Sequence, residues 1–403
     1  MKIVLVSTNY VGGASICARR LHQALLNSGY DSHLLVLDKV ANPAEKNVHS
    51  IEEILTEKHG KLYFKALRAL NRLFNKFPTI TNLKAYINGP ESLFRIDKLE
   101  LFQSADIIHL NWVPKIISYK HVFADKKKIF FWSQHDMNAF TGGNHYTLDL
   151  DDYSPYEKML QKNIQKKVEY LKGVNLTVIS SSVWLAELAK KSEPFKNFEV
   201  HVVPTCLDTN VFRPVNKAEA RKKLNLPDDG KKHILFVAEK PGDVRKGMSL
   251  LLSALNKLKN RANIRVLIVG KKMEGFEADF EYKPLGYIGS AEQLVTCYNA
   301  ADFFVIPSIE DNLPNTAMEA LSCGTPVVGF RIGGIPDIVE HQKTGLLSDL
   351  YDEPAFIKNL EYFVDLDNYD SYSENARISV EQKFSEKVVV AKTVSLYLKR
   401  YKK

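Results

Sequence analysis

Short apolar runs alternate with amphipathic segments punctuated by glycine, in two successive rounds. Runs of strand length lie at Lys2 to Ser7, His33 to Leu37, Ala105 to Leu110, Lys128 to Trp132, Asn175 to Ser180 and Glu199 to Val203. Near-continuous apolarity over four to eight residues reads as a strand buried on both faces, as in a parallel sheet. Between these runs, Ile16 to Asn27, 57 to 77, Tyr156 to Leu171 and Ser182 to Lys191 carry helical periodicity. The pattern restarts at Lys232. Strands are expected at His233 to Ala238, Ile264 to Gly270, Tyr287 to Gly289, Asp302 to Pro307 and Val327 to Phe330. Helices are expected at Met248 to Leu258, Ser290 to Asn299, Asn315 to Cys323, Ile335 to Glu340 and Ser373 to Tyr401. Strand–loop–helix alternation of this kind predicts doubly wound α/β domains. At 403 residues the chain is too long for one typical core, so two domains are expected.

The most informative stretch is 302–337, DFFVIPSIEDNLPNTAMEALSCGTPVVGFRIGGIPD. A strand ends in a polar loop carrying Asp311, and the next helix carries Glu319, on one face with Asn315. Asn315 or Thr316 is placed to cap that helix, and Gly324 followed by Pro326 ends it. Loop amides at a helix start attract anions. The physics alone fits equally an ordinary βαβ unit with two surface carboxylates. The segment from Asp311 to Gly329 resembles the E-x7-E region of retaining glycosyltransferases of family 4, with Asp311 in place of the first glutamate. That resemblance implies the GT-B fold: two facing Rossmann-like domains with a cleft between them. It sets an acceptor-side domain at 1–208, a nucleotide-sugar-binding domain at 209–380, and a C-terminal helix at 381–403 returning to the first domain.

Other stretches extend the resemblance. The glycine loop Asn9 to Ser15 lacks G-x-G-x-x-G, but Gly12 and Gly13 would allow close backbone approach to donor and acceptor. His135, at the end of a strand and followed by Asp136, opens HDMNAFTGG, which looks like a signature of one branch of family 4. Its imidazole would bond a sugar or phosphate and change charge near neutrality. Val203 to Pro214 resembles the family's interdomain connector. In the loop Glu239 to Gly247, the family's diphosphate-gripping lysine aligns with Lys246, and either Lys240 or Arg245 supplies the second positive charge. The implied roles are Asp311 on the donor sugar, Glu319 on the ribose, His135 on sugar or phosphate, and the loop Asn312, Leu313, Pro314, Asn315, Thr316 around the diphosphate. The implied activity is metal-independent retaining transfer of a sugar from a nucleotide-diphosphate donor to a glycan or lipid-linked saccharide, in cell-surface polysaccharide synthesis. A nucleotide-sugar 2-epimerase of the same fold and a non-catalytic nucleotide-sugar-binding partner are the alternatives. No cofactor is expected, and the D-x-D at Asp149–Asp151 falls in a loop rather than at a strand end.

Composition narrows the partners. The net charge of +8 favours acidic lipids or phosphorylated substrates, and no nucleic-acid-binding motif accompanies it. Residues 57–77 place Tyr63, Leu67, Leu70 and Phe74 at helical spacing, with Lys58, Lys61, Lys65, Arg68, Arg72 and Lys76 largely opposite. Such a helix either contacts an anionic membrane or packs its apolar face on the core. The four cysteines form no C-x-x-C, so neither zinc nor a disulfide framework is indicated. The first apolar run is read as a strand rather than a signal peptide. A cytoplasmic protein is expected, peripheral at the inner face of the plasma membrane.

Overall fold

The computed structural model describes residues 1–38, 45–75, 87–148, 156–272 and 278–402. Asp149–Asp151 lies outside them, as do Lys76 and Phe77 of the expected amphipathic helix. The chain divides into two compact units, Met1–Cys206 with Val389–Lys403, and Leu207–Val388.

The first unit holds a seven-stranded parallel sheet of β1 (Lys2–Val6), β2 (Asp31–Val36), β3 (Val48–Ser50), β4 (Ile107–Leu110), β5 (Ile129–Gln134), β6 (Leu176–Ser180) and β7 (Glu199–Val202), ordered β3-β2-β1-β4-β5-β6-β7. The second holds six: β8 (Lys232–Val237), β9 (Ile264–Val269), β10 (Glu281–Gly286), β11 (Phe303–Ile306), β12 (Val327–Phe330) and β13 (Gly345–Ser348), ordered β10-β9-β8-β11-β12-β13. Both are Rossmann-like. Strand order reverses between β1 and β4 in one and between β8 and β11 in the other. In such sheets ligands bind beyond the carboxyl ends of the strands at that reversal.

Burial on both faces explains the apolar runs. Val4 and Val6 pack with Ile108 and Phe130, whereas Ile3 and Leu5 pack with Ala18 and Leu25. Likewise Leu235 and Phe304 face one core of the second unit and Phe236 and Val305 the other. Each fully buried side chain of this kind contributes roughly 1.5–3 kcal/mol.

Several expectations are corrected. The segment expected as one helix over 57–77 is two, Ile51–His59 and Lys61–Phe74, because Gly60 between them has φ 88°. In the latter Phe64 and Asn71 are buried and Leu67 packs against the core, but Tyr63, Leu70, Leu73 and Phe74 of the expected apolar face are exposed. The strand expected at Tyr287–Gly289 lies earlier, at β10. There Pro284 is tolerated because β10 is an edge strand. The helix expected over Ser373–Tyr401 is Asp370–Phe384 and Glu386–Tyr401, broken at Ser385 where Leu207 N donates to Phe384 O at 2.8 Å. Helices Lys217–Lys223 and Glu353–Asp365 are additional, started by side-chain caps from Asn216 and Asp352.

Candidate functional site

In the second unit, three loops after β8, β11 and β12 meet around one carboxylate. The loop after β8 turns through Val244–Lys246, where Asp243 Oδ1 accepts from Arg245 N at 3.0 Å and Asp243 Oδ2 from Arg245 Nη2 at 2.9 Å. Gly247 follows at φ 69°, and a Cβ there would sit 1.7 Å from Pro307 O, so only glycine lets this loop press onto the end of β11. Ile309 N donates to Arg245 O at 2.9 Å across the same contact. This places Lys246 Nζ 2.6 Å from Asp311 Oδ2. From the third loop, Gly334 N donates to Asp311 O at 3.2 Å, and a Cβ on Gly333 would meet that oxygen at 1.8 Å.

The pair is asymmetric. Lys246 keeps 32% of its side chain exposed and Asp311 only 9%. Withdrawing a lysine from a buried carboxylate without replacement leaves that charge uncompensated, at a cost reduced from that of a fully buried pair because water reaches the ammonium. A ligand that takes Lys246 must therefore bring anionic oxygens for the ammonium and hydroxyl donors for Asp311. The helices Met248–Asn256 and Asn315–Ser322 also start at this edge of the sheet and add positive partial charge.

The remaining expected residues are placed as follows. Asn312, Leu313 and Pro314 are buried, and Asn315 and Thr316 half-buried. Neither Asn315 nor Thr316 caps the helix. Pro314, with φ −66° already preset, is its N-cap, and its carbonyl accepts from Ala317 N at 3.1 Å. Glu319 is buried, and Tyr298 Oη donates to its Oε2 at 2.9 Å. No spacing in the chain signals Tyr298, which comes from the helix Ala291–Ala300. Arg245 is engaged by Asp243, and Lys240 is exposed with its carbonyl accepting from Asp243 N at 3.0 Å. Lys246 is the cation on Asp311.

In the first unit, Gly12 caps the helix Gly13–Asn27 with φ 104°, and both glycines are exposed. His135 follows β5 and donates from Nε2 to Asn111 Oδ1 at 3.3 Å. It lines a pocket of this unit with Asn111, Ser133, Ser181 and Thr205. Burial lowers the His135 pKa to about 4, although Asp136 opposes the shift. The imidazole is thus neutral at pH 7, and the expected change of charge near neutrality is not found. Asp136 accepts from His145 Nδ1 at 2.6 Å, Trp112 Nε1 at 2.8 Å and Asn138 N at 2.9 Å. Burial would raise its carboxyl, but these donors bring it below its ordinary value. Lys167, fully buried, donates to Asn138 O and, at 2.9 Å, to Thr141 O. Burial lowers its amine to about 7. Lys167, on the helix Glu157–Leu171, thus pins the loop after β5. His109, wholly buried, bonds Ser133 Oγ at 2.8 Å and the Tyr397 hydroxyl, and burial lowers it to about 3.

Among the described residues, no group of three or more His, Cys, Asp or Glu is placed to hold a metal ion, and no helix is long and apolar enough to cross a membrane.

Residues 231–365 match the family model described as glycosyl transferases group 1. A D-inositol 3-phosphate glycosyltransferase of Segniliparus rotundus is 32% identical over 171 residues, 38% of this chain and 36% of that protein. The match spans little more than a third of that relative's length. A sucrose-phosphate synthase from Thermosynechococcus elongatus is similar in structure, with TM-score 0.68 at 20% identity over 99% of this chain and 98% of that one. HepE of Anabaena, solved with UDP-glucose, gives TM-score 0.65 at 15% identity over 98% of this chain and 99% of its own. At these identities the structural likeness is one of fold.

Proposed function

We propose, from the match of residues 231–365 to the glycosyl transferases group 1, that the chain transfers a sugar, with retention, from a nucleotide-diphosphate donor to a saccharide or lipid-linked saccharide acceptor in polysaccharide synthesis. The observation that carries this reading is the Lys246–Asp311 contact of 2.6 Å at the reversal of strand order. A nucleotide sugar has both replacements that this pair requires: phosphate oxygens for the ammonium and sugar hydroxyls for the carboxylate.

In the transfer, the bond between the anomeric carbon and the diphosphate oxygen breaks while a bond to the acceptor oxygen forms. The acceptor's proton passes to the departing phosphate. Negative charge grows on the leaving diphosphate, and Lys246 with the starts of two helices stabilises it without reorganising. Asp311 accepts from donor-sugar hydroxyls. Glu319, held by Tyr298, receives the ribose hydroxyls. His135, uncharged at neutral pH, contributes a hydrogen bond rather than a charge. The donor-linked structure of HepE supports the donor class.

A thermal-shift screen with nucleotide sugars, followed by transfer assays with the best stabiliser, tests the reading. Wild-type protein is expected to gain stability and to transfer, and Lys246→Ala and Asp311→Ala to lose turnover. Wild-type turnover in both variants would overturn the site, and an epimerised sugar formed from the donor alone would identify an epimerase instead.

A further inference from the structure

The helix Lys61–Phe74 turns most of its apolar side chains toward solvent. Leu62 is 81% exposed, Leu73 65%, Leu70 55%, Phe74 53% and Tyr63 47%. Phe64 and Asn71 are buried on the other side. Asn71 fastens the helix: its Nδ2 donates to Lys115 O at 2.9 Å and its Oδ1 accepts from Leu93 N at 2.7 Å. At about 100° per residue the helix has three sectors. One, around Phe64 and Asn71, faces the protein. A second gathers Lys61, Lys65 and Arg72. The third, roughly 130° from the buried sector, carries the five exposed apolar side chains.

We propose that this third sector is a docking surface for an anionic lipid bilayer. Isolated exposed leucines are ordinary, but an apolar strip along one fastened helix marks a surface that something covers. The neighbouring basic sector says what. A rim of ammonium and guanidinium groups beside an apolar strip complements a bilayer, where the strip enters the acyl boundary and the rim meets anionic headgroups. A second copy docked antiparallel on the same face would set basic rim against basic rim across a two-fold axis. Fourteen residues extend about 21 Å, too short to cross and suited to lying in the plane of the interface. This surface is independent of the donor site, so neither reading stands or falls with the other.

Vesicle sedimentation tests the proposal, using phosphatidylglycerol vesicles and phosphatidylcholine vesicles. The variants are Leu62→Ser/Leu70→Ser/Leu73→Ser and Lys61→Glu/Lys65→Glu/Arg72→Glu, each checked for an unchanged melting temperature. The full chain is expected to sediment with phosphatidylglycerol and to remain in solution with phosphatidylcholine. Each variant is expected to lose binding at least ~tenfold. Wild-type protein that ignores phosphatidylglycerol, or variants that bind like wild type, would overturn it. So would a lipid-free dimer that the leucine variant alone dissolves, because the occupant would then be a second copy.

Discussion

The carboxyl ends of the two sheets have the same topology and opposite electrostatic character. Beyond β8 and β11, a half-exposed lysine meets a buried aspartate. Beyond β4 and β5, the polar groups satisfy one another: Asp136 is held by His145, Trp112 and Asn138, and Lys167 by two carbonyls. One region presents charge, and the other spends its polar groups on holding a loop in shape. Position in a Rossmann-like fold therefore says where a ligand can bind, whereas the pairing of the side chains says which half supplies charge and which supplies form.

The largest expected effect breaks the comparison if it fails. Lys246→Ala should lower turnover at saturating donor by roughly 10²–10³, the usual cost of removing one preorganised group from developing charge. A loss under about tenfold in initial-rate assays would mean that the second unit does not supply the charge.

The next prediction concerns the other region. Lys167→Met leaves two buried carbonyls without a donor and should cost roughly 2–4 kcal/mol of stability. All three tryptophans, Trp112, Trp132 and Trp184, lie in the first unit, so their fluorescence in a urea titration reports that unit. Donor binding should be unchanged.

A pH titration sharpens the contrast further. His109 and His135 have folded values of about 3 and about 4, below the ordinary 6.5, so the unfolded chain takes up their protons first. Stability from these groups is complete above pH 6.5 and is lost as pH falls toward those folded values. Each contributes a slope of up to about 1.4 kcal/mol per pH unit. The tryptophan-monitored transition should therefore weaken from pH 7 to pH 5, less steeply in His109→Asn.

The smallest effect is Tyr298→Phe, which removes one neutral hydrogen bond from Glu319. It should weaken donor binding by about 1 kcal/mol in calorimetry. No change at all would detach Glu319 from the donor.

Much of this organisation was legible in the chain. Apolar runs as short as those of β1 and β11, bounded by loop residues, read as two-sided strands, and their alternation with helices implies a parallel sheet. Asp311, Glu319 and Lys246 stand out because motif spacing is local. What stayed hidden depends on contacts between residues distant in sequence. Tyr298 reaches Glu319 from another helix, and Lys167 is buried by a loop 26 residues earlier. The aspartate-for-glutamate departure at Asp311 is visible in the chain, but not that Asp311 holds Lys246. Strand β10 escapes the pattern because an edge strand carries little apolar signal, and the break at Gly60 is hidden because one glycine is compatible with a helix.

Hydrogen–deuterium exchange with and without the nucleoside diphosphate giving the largest thermal shift tests the central claim most directly. Slowed exchange in residues 243–247 and 308–318 is the result expected. Unchanged exchange in both of those second-unit loops while the ligand is bound would contradict it.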